Sequence, residues 1–354
     1  MKSVVLLLLA VLLSQTALAQ RAAELTALLQ RYSVPGMQVV YTKGKIVEAY
    51  NLGVREAGTS QPVTAATTFE AASLGKEMLA YVALRLHDRN LLDLDKPLLH
   101  YHAYPRLQGQ ARAARITARM VLAHTAGLPN WAENPTGPGW KTSALVLEYA
   151  PDSCWNYSGE GYTFLQKTLE NVTGKPFELL AAEEIFKPLG LKNSSFRWRE
   201  SFAATASAGH DGAGKPSPID HFAEPNAGFS LYTTAADYNR FLQAFRTGNG
   251  LRPATARLLL MPATAADRCG QPATAADPYI AWACGVGLAT TSQGLAQWQW
   301  GANDNFKGFF MTLPGKQESL LIFTNSVNGP KLVDEMLRLF FGPGQYWATQ
   351  WLAN

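Results

Sequence analysis

Ser73 and Lys76 stand three residues apart in the stretch Phe69-Glu-Ala-Ala-Ser-Leu-Gly-Lys-Glu-Met-Leu-Ala80. On a helix that spacing sets both side chains on one face, one turn apart. Met78, Leu79, Tyr81, Val82, Leu84 and Leu86 follow as an apolar run, so Ser73 is predicted at the N-cap or first turn of a helix. A serine there lies at the positive end of the helix dipole, where unpaired N–H groups can receive an oxyanion. A lysine one turn on can take the hydroxyl proton once burial lowers its pKa. A nucleophile, a base and half an oxyanion hole thus fit within four residues. With 17 Ser and 14 Lys in the chain, about one such spacing arises by chance. A capping serine beside a solvated lysine fits it equally well, so the remainder of the chain has to decide.

Two distant segments can complete a site. Tyr157 lies among small polar residues in Cys154-Trp-Asn-Tyr-Ser-Gly-Glu-Gly-Tyr162, where its hydroxyl can face a cleft. A phenol titrates near 10, so it serves as a base only beside a cation such as Lys76. The other segment is Gln297-Trp-Gln-Trp-Gly-Ala-Asn-Asp304. A glycine at a strand end lets another backbone approach closely. The N–H of Ala302 is then a candidate second oxyanion donor, with Gln299, Trp300 and Gly301 as candidate substrate contacts. A core tyrosine and an aromatic edge strand are the structural alternatives for these segments. His124 is read as structural, and Glu160 and Asp304 as solvated loop charges. His100 and His102 have no third ligand nearby, so no metal site is expected. The absence of G-x-S-x-G argues against a nucleophile elbow.

The elements that must position these residues follow from periodicity. A helix is predicted over 21–32, and then a hairpin from Met37–Tyr41 and Lys45–Tyr50. The helix after Ser73 is expected to run to about Arg89. Further helices are predicted over 116–122, from Tyr157 to Leu169, over 177–186, over 235–245 and from about Pro330 to Phe341. Residues 201–228 read as a long surface loop, and 262–278 as a mobile Ala/Thr/Pro-rich one. Strand-like runs follow at Gly285–Thr290 or Ala296–Gly301, then Phe306–Leu313 and Glu318–Thr324. Strands at both ends and helices between them predict an α+β fold. An antiparallel sheet flanked by helices would pack against a mostly helical lobe. The sheet lobe would take about 20–72 and 230–354, the helical lobe about 73–229, with the site in the cleft between.

Composition narrows the classes. Lys2, the apolar run Val4–Leu13 and Ala17-Leu18-Ala19 read as a signal peptide over 1–19, cleaved after Ala19, giving an exported periplasmic or secreted protein with no remaining membrane span. A net charge of +4 with no basic aromatic cluster argues against nucleic acid. Three cysteines remain, Cys154, Cys269 and Cys284. Export permits disulfides: Cys269–Cys284 with Cys154 left over is one arrangement, and three free thiols the other.

Taken in order, several stretches resemble the serine β-lactamase and penicillin-binding-protein superfamily, in its class C-like branch of β-lactamases, D,D-peptidases, D-aminopeptidases and carboxylesterases. They are Val34-Pro-Gly-Met-Gln-Val-Val40, Phe69–Lys76, Leu91–Pro97, Ile116–Pro129, Tyr157–Tyr162, Ile185–Leu191, Gly228–Ala235 and Trp300–Asn303 with Phe306–Phe310. The resemblance implies a β-lactamase/transpeptidase-like fold with Ser73 as the acylated nucleophile. It implies that Lys76 assists proton removal, that Tyr157 is the base, and that the N–H groups of Ser73 and Ala302 form the oxyanion hole. It implies no cofactor and a small-molecule or peptide acyl donor, with cell-wall contact one option. Two positions depart from the pattern. Gly159 replaces the asparagine of Tyr-x-Asn, which typically binds a substrate amide carbonyl. Gln299 replaces the lysine or histidine two before glycine, which meets a substrate carboxylate. Charge-assisted bonds are about twice as strong as neutral ones, so carboxylate binding should weaken. Ester or amide hydrolysis is therefore the leading expectation. A D,D-peptidase or β-lactamase, and a non-catalytic ligand-binding or sensor module, are the alternatives.

Overall fold

The computed structural model describes residues 18–353. The expected signal segment thus lies almost wholly outside the described residues. The strands are β1 (Gly36–Lys43), β2 (Ile46–Gly53), β3 (Phe69–Ala72), β4 (Gly209–His210), β5 (Pro216–Ser217) and β6 (Leu231–Thr233), followed by β7 (Thr264–Ala265), β8 (Ile280–Trp282), β9 (Gly287–Thr291), β10 (Gly294–Asn303), β11 (Phe306–Leu313) and β12 (Glu318–Thr324). Eight of them form one antiparallel sheet in the order β2-β1-β12-β11-β10-β9-β8-β7. β12 inserts between β1 and β11, so the two chain ends meet inside the sheet, as expected. Both runs offered as alternatives, around 285–290 and 296–301, are strands.

The helices are α1 (18–32), α2 (Gly75–Asp88), α3 (Leu98–Tyr101), α4 (Ala118–Leu122), α5 (Gly159–Thr173), α6 (Phe177–Ala181), α7 (Lys187–Leu189), α8 (Ala235–Thr247), α9 (Pro253–Arg257), α10 (Val333–Phe341) and α11 (Trp347–Ala353). One apolar cluster joins α1, α10 and α11 to the sheet through Leu25, Met37, Trp298, Ile322, Leu337 and Trp351. The other joins the opposite face to the central helices through Phe69, Met78, Leu84, Phe164, Phe241 and Phe310. α2 lies in this second core: every residue from Gly75 to Leu84 is buried. No described helix is long and apolar enough to cross a membrane.

Three expectations are corrected. The disulfide is Cys154–Cys269, and Cys284 is a free buried thiol. The backbone explains the pairing. Trp155 N–H donates to Asp267 O (3.0 Å) and Cys269 N–H to Trp155 O (2.9 Å), which draws the two Cα atoms to 5.3 Å. Cys284 instead lies under the Arg119 guanidinium. The segment 262–278 is accordingly pinned by this crosslink and by β7, not loose. Glu160 is fully buried in the first turn of α5 rather than solvated, paired with Arg106 through two bonds of 2.6 and 2.9 Å. Asp304 does stay exposed, in the β10–β11 turn.

Candidate active site

The nucleophile candidate sits between β3 and α2 on a sharp corner. Ala72 has φ +51°, a left-handed value that costs a non-glycine residue about 1–2 kcal/mol. The helix starts at Gly75 with Leu74 as its cap, so Ser73 lies just before the N-cap rather than on it. The spacing still brings the side chains together: Lys76 Nζ donates to Ser73 Oγ at 2.9 Å. Both groups lean on one acceptor. Gly228 O takes the Ser73 hydroxyl at 3.1 Å and Lys76 Nζ at 2.9 Å.

Lys76 is fully buried because α2 is buried on all sides. Desolvation lowers its pKa to about 7, while the neighbouring Glu77 carboxylate opposes the shift. Burial pushes Glu77 upward in turn, and contacts with Gln299 and Tyr238 hold it down only in part. Among charged side chains, burial of this kind without an ion pair is uncommon.

Tyr157 precedes α5, whose N-cap Ser158 accepts Gly161 N–H at 2.8 Å. Its ring is partly exposed, but its hydroxyl is buried and makes no hydrogen bond of ordinary geometry. Lys76 Nζ stands 4.9 Å from the ring centroid, and the Trp300 ring packs on it at 4.8 Å. Burial raises the phenol pKa, and proximity to Ser73 only moderates the rise. His124 lies beneath, 4.4 Å from the Tyr157 ring. Its Nδ1 accepts Ser158 N–H at 3.1 Å, and burial holds it neutral. His124 therefore orients the Tyr157 segment.

β10 supplies the facing edge. β9 pairs it only from Gly294 to Trp298. The two-residue turns at Ser292-Gln293 and Asp304-Asn305 fix the hydrogen-bond alternation. By that alternation the N–H groups of Trp300 and Ala302 point to the side β9 has vacated. Trp300 N–H is occupied by Gln299 Oε1 at 3.2 Å, which leaves Ala302 N–H on the open edge. Gly301 permits the close approach to the nucleophile's turn, because a Cβ there would meet Ala71 O at 2.3 Å. Among the described residues, no backbone carbonyl accepts from Ser73 N–H.

The predicted residues are thus brought together, with one change of place. Gln299 is fully buried and faces Glu77 instead of the cleft, so it is no direct substrate contact in this conformation. Trp300 and Ala302 reach the surface. Sequence reasoning passed over Glu77, Gly228, Lys307 and Trp131. Lys307 lies opposite Ala302 on β11, and its Nζ is held by Asn303 O and Asp304 O. Trp131 comes from a loop with no periodicity to betray it. The described residues contain no cluster of His, Cys, Asp and Glu suited to a metal ion.

A corner-mounted Ser–Lys pair facing an open strand edge, on this sheet, defines a β-lactamase/transpeptidase-like protein. Solved structures agree on the fold. The D-alanine carboxypeptidase AmpC from Burkholderia cenocepacia superposes with a TM-score of 0.76 at 18% identity, over 93% of this chain and 98% of that one. A class C beta-lactamase does so at 0.75 and 18%, over 90% and 95%. The beta-lactamase family profile matches residues 21–340, and the chain belongs to that family of serine hydrolases. Among curated relatives, Esterase EstB of Burkholderia gladioli is 27% identical over 85% of this chain and 88% of its own length. Penicillin-binding protein 4 of Amycolatopsis lactamdurans is 25% identical over 89% and 87%.

Proposed function

We propose that the protein is an exported hydrolase that cleaves esters through an acyl-enzyme on Ser73. The observation carrying this is the 2.9 Å contact between Ser73 Oγ and a lysine whose pKa burial lowers to about 7. Neutral Lys76 takes the Ser73 proton as Oγ attacks the carbonyl carbon. The oxyanion forms at the N–H groups of Ala302 and Ser73. The ester C–O bond then breaks, and the leaving alkoxide takes the Tyr157 proton, which Lys76 replaces. Water attacks the acyl-enzyme by the same relay, freeing the acid. The raised phenol pKa favours this role for Tyr157 over that of first base, the role implied by family resemblance.

Gly159 and the buried Gln299 leave neither the asparagine nor the cation that would hold an amide-bearing carboxylate substrate. This supports an ester over a β-lactam or a D-alanyl peptide, and agrees with the similarity to an esterase. Labelling by a fluorophosphonate at Ser73, lost in Ser73→Ala together with p-nitrophenyl ester turnover, is the expected result. Ligand binding without labelling or turnover would point to a non-catalytic module instead. Penicillin acylation and hydrolysis of a chromogenic cephalosporin, both faster than ester turnover, would favour the β-lactamase or peptidase reading. Export is supported by the Cys154–Cys269 crosslink, which needs an oxidising compartment. The secreted form is expected to begin at Gln20.

A further inference from the structure

We propose that Trp131 is the specificity-determining residue of the cleft and selects acyl groups that are flat, aromatic and uncharged; this rests on the ester-hydrolase reading of Ser73. The indole occupies the space that a side chain at 159 would use. A Cβ on Gly159 would lie 2.2, 2.3 and 2.7 Å from three of its ring atoms. No real Cβ tolerates that approach, so an asparagine at 159 and the Trp131 indole in this position exclude each other.

The same ring borders the nucleophile. A Cβ on Gly228 would lie 2.8 Å from Trp131, and Gly228 O accepts both Ser73 Oγ and Lys76 Nζ. Trp131 meets Phe229 edge to face at 5.7 Å, and Phe229 meets Phe222 at 5.1 Å. These three rings wall a cavity of about 570 Å³ whose other side includes Ala302 and Asn303. An acyl group whose carbonyl oxygen sits at Ala302 N–H enters that cavity and meets the rings. Aromatic pairs favour such offset or edge-on contacts by about tenfold in binding at most.

The wall is preset. Trp140 Nε1 and Ala132 N–H, on either side of the loop, donate to Glu160 at 2.7 and 3.1 Å, and Arg106 clamps Glu160. Trp131 packs edge-on against Trp140 at 5.8 Å. The cavity also repels anions. Asp220 and Asp304 line it, and Asp220 senses the charge of Asp304, while the Lys307 ammonium is tied to two backbone carbonyls.

The test compares p-nitrophenyl phenylacetate with p-nitrophenyl acetate, which share a leaving group. The protein should prefer the phenylacetyl ester in kcat/KM, and Trp131→Ala should lower the phenylacetyl-to-acetyl ratio by about tenfold. An unchanged ratio overturns the proposal. So does a ratio that moves only when the alcohol is varied, which would place the leaving group against Trp131. Gly159→Asn alone should lower Tm, and Trp131→Ala should restore it in the double variant. If Gly159→Asn is as stable as the unaltered protein, the ring is not preset and the proposal fails. Should Trp131→Ala not fold, Trp131→Phe should lower the same ratio to a smaller extent. Fluorophosphonate labelling of the unaltered protein judges Ser73 separately from Trp131.

Discussion

Lys76 sets the pH response of the site. Its pKa falls from 10.5 to about 7 on burial, so it is neutral and proton-accepting above pH 7 and charged below. The kcat/KM for a neutral ester is therefore expected to rise across neutrality with an acid limb near 7, and a flat profile from pH 5 to 9 would count against Lys76 as base. Glu77 is the neighbour that opposes the shift, so Glu77→Gln should move that limb to lower pH. Lys76→Arg stays charged and should lose roughly 100- to 10,000-fold in turnover. Ser73 and Lys76 were legible in the sequence because their relation is local, one turn of helix. Glu77 was not, although it is adjacent. Its burial depends on Tyr238 and Gln299, far along the chain. The depth of Lys76 itself was equally hidden, since the apolar run after it resembles a one-sided surface helix and α2 is buried all round.

Between elements, the Arg106–Glu160 pair ties the start of α5 to the Trp131–Trp140 loop. Both side chains are nearly or wholly buried. Arg106→Met leaves Glu160 in the interior without its cation, and a loss of about 3–5 kcal/mol in urea unfolding is expected. Ester turnover measured in the still-folded fraction should change selectivity as well, because Ala132 and Trp140 flank Trp131. A surface pair such as Lys141–Glu224 should cost under about 1 kcal/mol when broken and serves as the control. Strands written as short apolar runs, such as Glu318–Thr324, and amphipathic helices such as 235–247 were readable, since these patterns are set by their own residues. The ion pair was not. Glu160 follows a glycine in a polar turn, and nothing near it in sequence announces the guanidinium that removes it from water.

At the scale of the molecule, one covalent link and one sheet hold distant segments together. Cys154–Cys269 closes a loop across 115 positions, and loops of that length add about 3–5 kcal/mol to stability. Reduction, or Cys269→Ser, should lower the unfolding free energy from urea titration by that amount and weaken the segment carrying Tyr157. Cys284→Ala should change it by only about 1 kcal/mol, measured in the same way. The antiparallel architecture was legible because strands crowd both ends of the chain; the cysteine pairing was not, because it depends on Trp155 lying against residues 267–269. The place of β12 has a consequence for manufacture. β1 leaves the ribosome long before its partner, which spans residues 318–324. Until then the β1–β2 hairpin has no sheet to join, and non-local pairings of this kind form slowly. Until residues 318–324 emerge the sheet stays incomplete, and a polypeptide whose sheet is incomplete is in the state in which a chain can be passed through a membrane before it folds.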